Sequence, residues 1–224
     1  MVVTLNKPEL EDTLELELLN RSSIASSINP ANKIGEGKYR EVYQVRGKAL
    51  KILKPHVHKF NLEFPTSVYT KLKFGIADFN QYEYHTYRKF IKEIPNKLKD
   101  RFAQIYWAGP YNGKSVSLSE LVINSNGEVS ESLSESGPVY DKNFWDAFNQ
   151  VESLLLEKRI FLMDIHAKNI MVKESEGKLA PVLIDYKRVG ARTYPLQIWL
   201  LSQSRLAEKL KRKFQRLREE YSPD

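Results

Sequence analysis

The chain has 224 residues, 42% of them hydrophobic and 28% charged, with no cysteine and a formal charge of +7. The missing cysteines exclude structural disulfides and thiolate zinc sites, and the length suits one large domain or two small lobes sharing a cleft. The charge favours polyanionic partners without choosing among nucleotides, nucleic acid and anionic lipid, and no leader pattern or membrane-spanning apolar run interrupts it, so the expected location is the cytoplasm.

In chain order, residues 1–30 form an acidic, Leu-spaced lead-in of no legible role that ends in a Ser/Asn/Pro-rich connector. "NKIGEGKYREVYQV" and "KALKIL" alternate β-branched or aromatic residues with polar ones, which predicts strands joined by a tight hairpin at Arg46-Gly47. Phe79, Tyr82, Glu83, Tyr87 and Phe90 recur at spacings of three and four, the stripe of one helix over 77–94. "RFAQIYWAG" and "SVSLSELVIN" read as two further strands. The Ser/Gly/Glu-rich stretch that follows has no apolar period and predicts a mobile crossover between lobes. Phe144, Phe148, Val151 and Leu155 mark a helix over 142–158, "NIMVKESEGKLAPVLID" a hairpin with a Glu-Gly turn, and the last segment a strongly basic helix. The expected division is a lead-in at 1–30, a first lobe at 31–125, a crossover at 126–140 and a second lobe at 141–224.

The chemistry gathers in "IFLMDIHAKNIMV", an apolar run broken by Asp164, His166 and Asn169. Unpartnered buried polar groups cost roughly 1–3 kcal/mol each, so something must engage them. Asp164 and Asn169 have the separation of the kinase loop D-L-x-x-x-N, and Asp185 follows an apolar strand in "VLIDYKR", where that constellation places its metal-binding Asp. Upstream, Gly35 and Gly37 of "IGEGKYREVY" sit in a strand-turn-strand context with Val42 at glycine-loop distance, although Arg40 stands where a third glycine would be. Lys51 alternates with Leu50 and Ile52. Glu83, on an apolar helix face, needs a cation, and Lys51 is the natural one. Each part has a plainer alternative: an ordinary hairpin, a solvated lysine, a Glu at the stripe's edge and an Asx-turn. Their common order favours one site.

These residues resemble the protein-kinase-like superfamily and, within it, the bacterial YrbL family of PhoP regulatory network proteins, over roughly residues 31–218. "GEGKYREVYQ", "ALKILKP", "NQYEYHTYRKF", "FLMDIHAKNIMV", "VLIDYKRVG" and "KLKRKFQRL" carry the resemblance, and "DIHAKN" is similar to the D-L-H-P-x-N loop of aminoglycoside and choline kinases. The resemblance implies an α+β, two-lobed protein-kinase-like fold with an antiparallel-sheet N-lobe and a small, mostly helical C-lobe. It also implies an ATP- and Mg2+-dependent phosphotransferase acting on a hydroxyl of a small molecule or glycolipid. Gly35, Gly37, Val42, Lys51 and Glu83 would bind the nucleotide, Asn169 and Asp185 the metal, with Asp164 the base and Lys51 its catalytic companion. Leu162 and Met163 replace the His and Arg of the HRD motif, Tyr186 and Lys187 the Phe and Gly of DFG, and no APE motif follows. A regulated protein kinase is therefore not expected, and a nucleotide-binding pseudokinase is the alternative.

Other constellations are missing: His56 and His58 in "HVH" read as a solvated loop, and no G-x-S-x-G elbow or dinucleotide fingerprint occurs. On the last helix, Leu206, Leu210, Phe214 and Leu217 form a stripe amid Lys209, Lys211, Arg212, Lys213, Arg216 and Arg218. That stripe predicts packing on the second lobe. The competing reading docks the helix on an anionic membrane surface, peripheral to the inner membrane, or on a phosphorylated acceptor. No nucleic-acid module is recognisable, so nucleic acid is not the expected partner.

Overall fold

A computed structural model describes residues 28–37, 39–54, 79–161, 163–186 and 203–223. Eleven named elements occur among them: β1 (Lys33–Glu36), β2 (Arg40–Val45), β3 (Lys48–Leu53), α1 (Phe79–Glu93), β4 (Ile105–Tyr111), β5 (Lys114–Glu120), α2 (Leu133–Ser136), α3 (Lys142–Glu157), β6 (Ile170–Ser175), β7 (Lys178–Leu183) and α4 (Gln203–Tyr221). The first five strands form one antiparallel sheet in the order β1-β2-β3-β5-β4, and β6 and β7 form a second, two-stranded one. The chain is an α+β protein with a sheet-based first lobe and a mostly helical second one.

Local chemistry fixes the hairpins. Arg46-Gly47, Asn112-Gly113 and Glu176-Gly177 all carry positive φ at both turn residues. That pairing gives the two-residue turn whose twist matches the flanking strands, and glycine is its least strained second residue. The predicted Arg46-Gly47 and Glu-Gly turns are both found.

Beside a small cluster of Ala103, Val122 and Val182, two main apolar cores result among the described residues. The smaller covers one face of the sheet, where Tyr43, Val45, Leu50, Ile52, Val116 and Leu118 pack with Tyr106, Trp107, Tyr111 and Ile28. The larger runs from the second half of α1 (Tyr87, Phe90) and Ile94 just beyond it through α3 and the β6–β7 hairpin to α4. Helix α1 thus belongs to both lobes: it packs on β4 and β5 while its last turns join the larger core. The Ala103 N–H donates to the Leu183 carbonyl at 3.0 Å, tying the lobes by backbone as well.

The stretch expected to be a mobile crossover is instead ordered and anchored. Asn124 Oδ1 accepts from Ser130 Oγ at 2.7 Å and from the Glu174 N–H at 2.8 Å. The Val172 N–H donates to the Glu131 carbonyl, Ser132 and Glu135 form a capping box that starts α2, and Leu133 is fully buried. Without an apolar period the sequence offers no periodic helical or strand signal here, and the capping box and other polar side chains satisfy the backbone one bond at a time.

The basic helix α4 packs as its stripe predicts: Leu210, Phe214 and Leu217 are buried, and the Phe214 ring lies 4.6 Å from that of Phe148. No helix among the described residues is long and apolar enough to cross a membrane. The lead-in before residue 28, the "HVH" loop, Lys187 and the start of the last predicted helix lie outside the described residues.

Candidate functional site

The glycine-containing turn joins β1 to β2. Gly35 pairs opposite Val42, and the Gly37 N–H donates to the Arg40 carbonyl at 2.8 Å. Neither glycine has positive φ, and a Cβ at either would meet nothing nearer than 3.8 Å. The turn could therefore be built from other residues; glycine leaves its surface bare, where a ligand can approach the backbone. Between the two glycines, Glu36 is held by Lys33 at 2.6 Å and by Lys54, and these bonds bring its carboxyl down to about 2.

Lys51 sits half-buried in mid β3, between Val42 of β2 and Ser117 of β5. The expected Lys51–Glu83 pair is not formed. Glu83 is 1% exposed, and the cation that meets its Oε2 is Arg40. Arg40 is itself only 8% exposed, and its Nη2 lies 3.4 Å from Asp185 Oδ2 while its Nη1 also donates to Asn80 Oδ1 at 3.3 Å. Burial by itself would lower the guanidinium's pKa, but the two carboxylates outweigh it and raise it. The physical reason for the swap is reach and orientation: Arg40 opens β2 facing α1, and its planar fork engages two carboxylates at once. Its guanidinium also stands over the Phe79 ring, 5.4 Å from the centroid.

Glu83 uses its other oxygen to accept the Tyr186 N–H at 2.8 Å, so the residue after Asp185 is bound to α1. The Tyr186 ring packs 5.1 Å from Tyr87 and 5.8 Å from Phe90, and its hydroxyl lies 2.7 Å and 2.8 Å from the carbonyls of Ala103 and Leu183. Burial pushes that hydroxyl's pKa well up, keeping it a neutral donor. Asp185 adopts φ +69, a left-handed backbone that Asp tolerates better than most residues and that persists only where its surroundings enforce it. The clamp by Tyr186, Glu83 and Arg40 is that enforcement.

The loop "DIHAKN" leads into a short 3-10 turn at Ala167–Asn169. The Asn169 Nδ2 donates to the Asp164 carbonyl at 3.0 Å, the Asn169 N–H donates to the His166 carbonyl, and the Asn169 carbonyl accepts the Ile184 N–H at 2.9 Å. That last bond couples the loop to the residue before Asp185, so Asn169 and Asp185 are fastened together. With its amide nitrogen committed, Asn169 Oδ1 has no partner among the described residues and remains an acceptor. The Asp164 carboxylate is partly exposed, with His166 Nε2 3.8 Å from Oδ2 and Lys213 Nζ 3.7 Å from Oδ1.

Among the described residues no group of three His, Cys, Asp or Glu side chains could hold a metal alone. One carboxylate beside one amide oxygen nevertheless fits Mg2+, which takes few protein ligands and completes its shell with water and phosphate. The fastened Asp185 and Asn169 have that donor set.

Three residues escaped the sequence reading. Arg40 appeared only as a missing glycine, Tyr186 only as a departure from a motif, and Lys213 only as one charge among many. The signal for Lys213 was its position: it stands on the inward stripe of α4, beside Phe214, where an apolar residue would be expected.

No protein-family model matches the chain, and no curated protein matches it in sequence. Among solved structures, the PknI kinase domain of Mycobacterium tuberculosis overlaps 86% of this chain and 76% of its own, with 14% identity and a TM-score of 0.49. A double mutant of that domain, C20A_R136A, overlaps 70% of this chain and 58% of its own at 12% identity and a TM-score of 0.41. The PF14_0431 kinase domain overlaps 70% of this chain and 49% of its own at 12% identity and a TM-score of 0.43. The chain thus spans about half to three quarters of the length of these domains. With every one of these TM-scores below 0.5, the chemistry rests on the side-chain geometry instead.

Proposed function

We propose that the chain is an atypical ATP- and Mg2+-dependent phosphotransferase, of the YrbL type, acting on a hydroxyl of a small molecule or glycolipid. The observation that carries this is the bond from the Ile184 N–H to the Asn169 carbonyl, which fastens an uncommitted amide oxygen to the Asp185 strand end. Asp185 and Asn169 would hold Mg2+. When bound, the ion would neutralise phosphate charge and favour an in-line transfer. The bare turn of Gly35 and Gly37, with Val42 and Lys51 behind it, would receive the nucleotide, while Glu83 fixes α1 to the Asp185 segment.

Asp164 is partly exposed and available to substrate. In the transfer it would orient the acceptor O–H and accept its proton as the acceptor oxygen bonds to the γ-phosphorus. The bond from that phosphorus to the bridging oxygen breaks, and ADP leaves with the electron pair. A cytoplasmic site for this chemistry, and docking of the basic α4 on an anionic membrane surface, belong to the same proposal. So does the division into a nucleotide lobe over 31–125 and a catalytic lobe over 141–224.

A second reading, a pseudokinase that binds nucleotide only to regulate a partner, is favoured by the contact of Arg40 with the carboxylate that should bind metal. Thermal unfolding with and without ATP, in Mg2+ and in EDTA, for the parent and Asp185→Ala, tests the site. Ligand at 100 times its dissociation constant adds roughly 2.7 kcal/mol, a rise of about 5–10 °C for a chain of this size. A shift that needs both Mg2+ and Asp185 supports the proposal, and no shift under any condition sinks it. Asp164→Ala should then abolish turnover on an acceptor found by screening while sparing nucleotide binding; turnover by an Asp164-less protein would select another base.

A further inference from the structure

Resting on the nucleotide reading above, we infer that Arg40 is a phosphate-binding residue of this site, a guanidinium built into the glycine turn and pre-aimed at the nucleotide's phosphates. Four observations carry this. First, Arg40 closes the turn itself: its carbonyl accepts the Gly37 N–H, so any ligand lying against that turn lies against Arg40. Second, its guanidinium reaches across to Asp185, the carboxylate assigned to metal, and therefore stands between the glycine turn and the metal ligands.

Third, the guanidinium is held rather than free to wander. Glu83 and Asn80 take its Nη1, Phe79 covers its face, and Asn80 is in turn fixed by donating to Ser115 Oγ at 2.9 Å. A cation positioned before the ligand arrives loses little freedom on binding. Fourth, donors remain. Of the five N–H groups, those on Nη1 and one on Nη2 are engaged, while Nε–H and the second Nη2 N–H have no partner among the described residues. A guanidinium held in a largely buried frame, with its two uncommitted donors not sealed from solvent, is suited to phosphate oxygens, which it binds bidentately.

The arrangement also reassigns Glu83. With Arg40 as its partner, the carboxylate aims a guanidinium at the phosphates rather than anchoring Lys51. Asp185 would then answer to two cations, the metal it would hold and Arg40, whose Nη2 lies 3.4 Å from its Oδ2.

The test uses Arg40→Lys, which keeps a cation for Glu83 but removes the fork, and the double variant R40Q/E83Q, which leaves neither charge buried alone. Affinities for ATP, ADP and adenosine are measured by calorimetry in Mg2+, beside the melting temperature without ligand. The expected result is a loss of about 10- to 100-fold in ATP and ADP affinity, the range for charge-assisted hydrogen bonds, with adenosine affinity unchanged. Arg40 variants that bind ATP as the parent does, or more tightly, would overturn the inference: Arg40 would then be a structural tie or a plug, while the nucleotide site stood. An equal loss for adenosine would also overturn it, since a merely structural role harms the whole pocket. A parent that binds none of the three would remove the nucleotide reading and this inference together. Loss of ATP binding confined to the Arg40 variants, in a protein that turns over no acceptor, would uphold Arg40 and point to the pseudokinase.

Discussion

Replacing Glu83 with alanine separates the pairing seen in the structure from the one that spacing suggests. Glu83 and Arg40 are 1% and 8% exposed, so the substitution leaves a buried guanidinium with Asp185 and Asn80 as its remaining partners. Breaking a buried pair from one side costs about 3–5 kcal/mol, which for a chain of this size lowers the melting temperature by roughly 6–20 °C. The assay is a pair of double-mutant cycles read by denaturant or thermal unfolding, one with Arg40→Ala and Glu83→Ala, the other with Lys51→Ala and Glu83→Ala. The Arg40 cycle should show a coupling of about 1–3 kcal/mol, because the second deletion removes a charge already stranded by the first. The Lys51 cycle should be additive within about 0.5 kcal/mol. Coupling to Lys51 with none to Arg40 would refute the reasoning and restore the strand-lysine pair.

Phe214→Ala empties a fully buried site against Phe148 and should cost about 3–5 kcal/mol in equilibrium unfolding; a loss near zero would mean that α4 is not docked. Tyr186→Phe should cost about 1–3 kcal/mol by removing the donor to the Ala103 and Leu183 carbonyls, yet leave any nucleotide-dependent stabilisation intact, because the bond from its backbone to Glu83 survives. Asp141 caps α3 through the Asn143 N–H and also accepts the Leu179 N–H, and these bonds, that to Leu179 foremost, hold its carboxyl below the ordinary 3.8. A depressed folded value means that its stabilisation is fully present above about pH 3.8 and is lost as pH falls through the lower folded value. Asp141→Ala should therefore cost about 1–2 kcal/mol at neutral pH, and unfolding curves of parent and variant should converge on acidification below that point.

Much of the scaffold was legible because its signals are local. The Arg46-Gly47 turn declares its geometry in two residues, and the helices declare their buried faces through Phe144, Phe148 and Val151 or Tyr82, Tyr87 and Phe90. The order of the site's parts was legible too, since Asp164, Asn169 and Asp185 lie on one contiguous loop-hairpin unit whose backbone closes on itself between Ile184 and Asn169. The segment after Asn124 reads as mobile from its sequence because its order comes from single polar bonds that leave no periodic trace.

Pairings between distant segments are a different matter. Residue types at the right spacing determined that a cation must meet Glu83, that Asp185 follows an apolar strand and that the last helix buries one stripe. Only the tertiary structure decided that the cation is Arg40, that Tyr186 locks Asp185 onto α1, and that Lys213 reaches Asp164 from the last helix. The reason is physical: periodicity and turn chemistry act over a few residues, whereas an ion pair's partner depends on which side chains the packed sheet and helices bring within reach of one carboxylate.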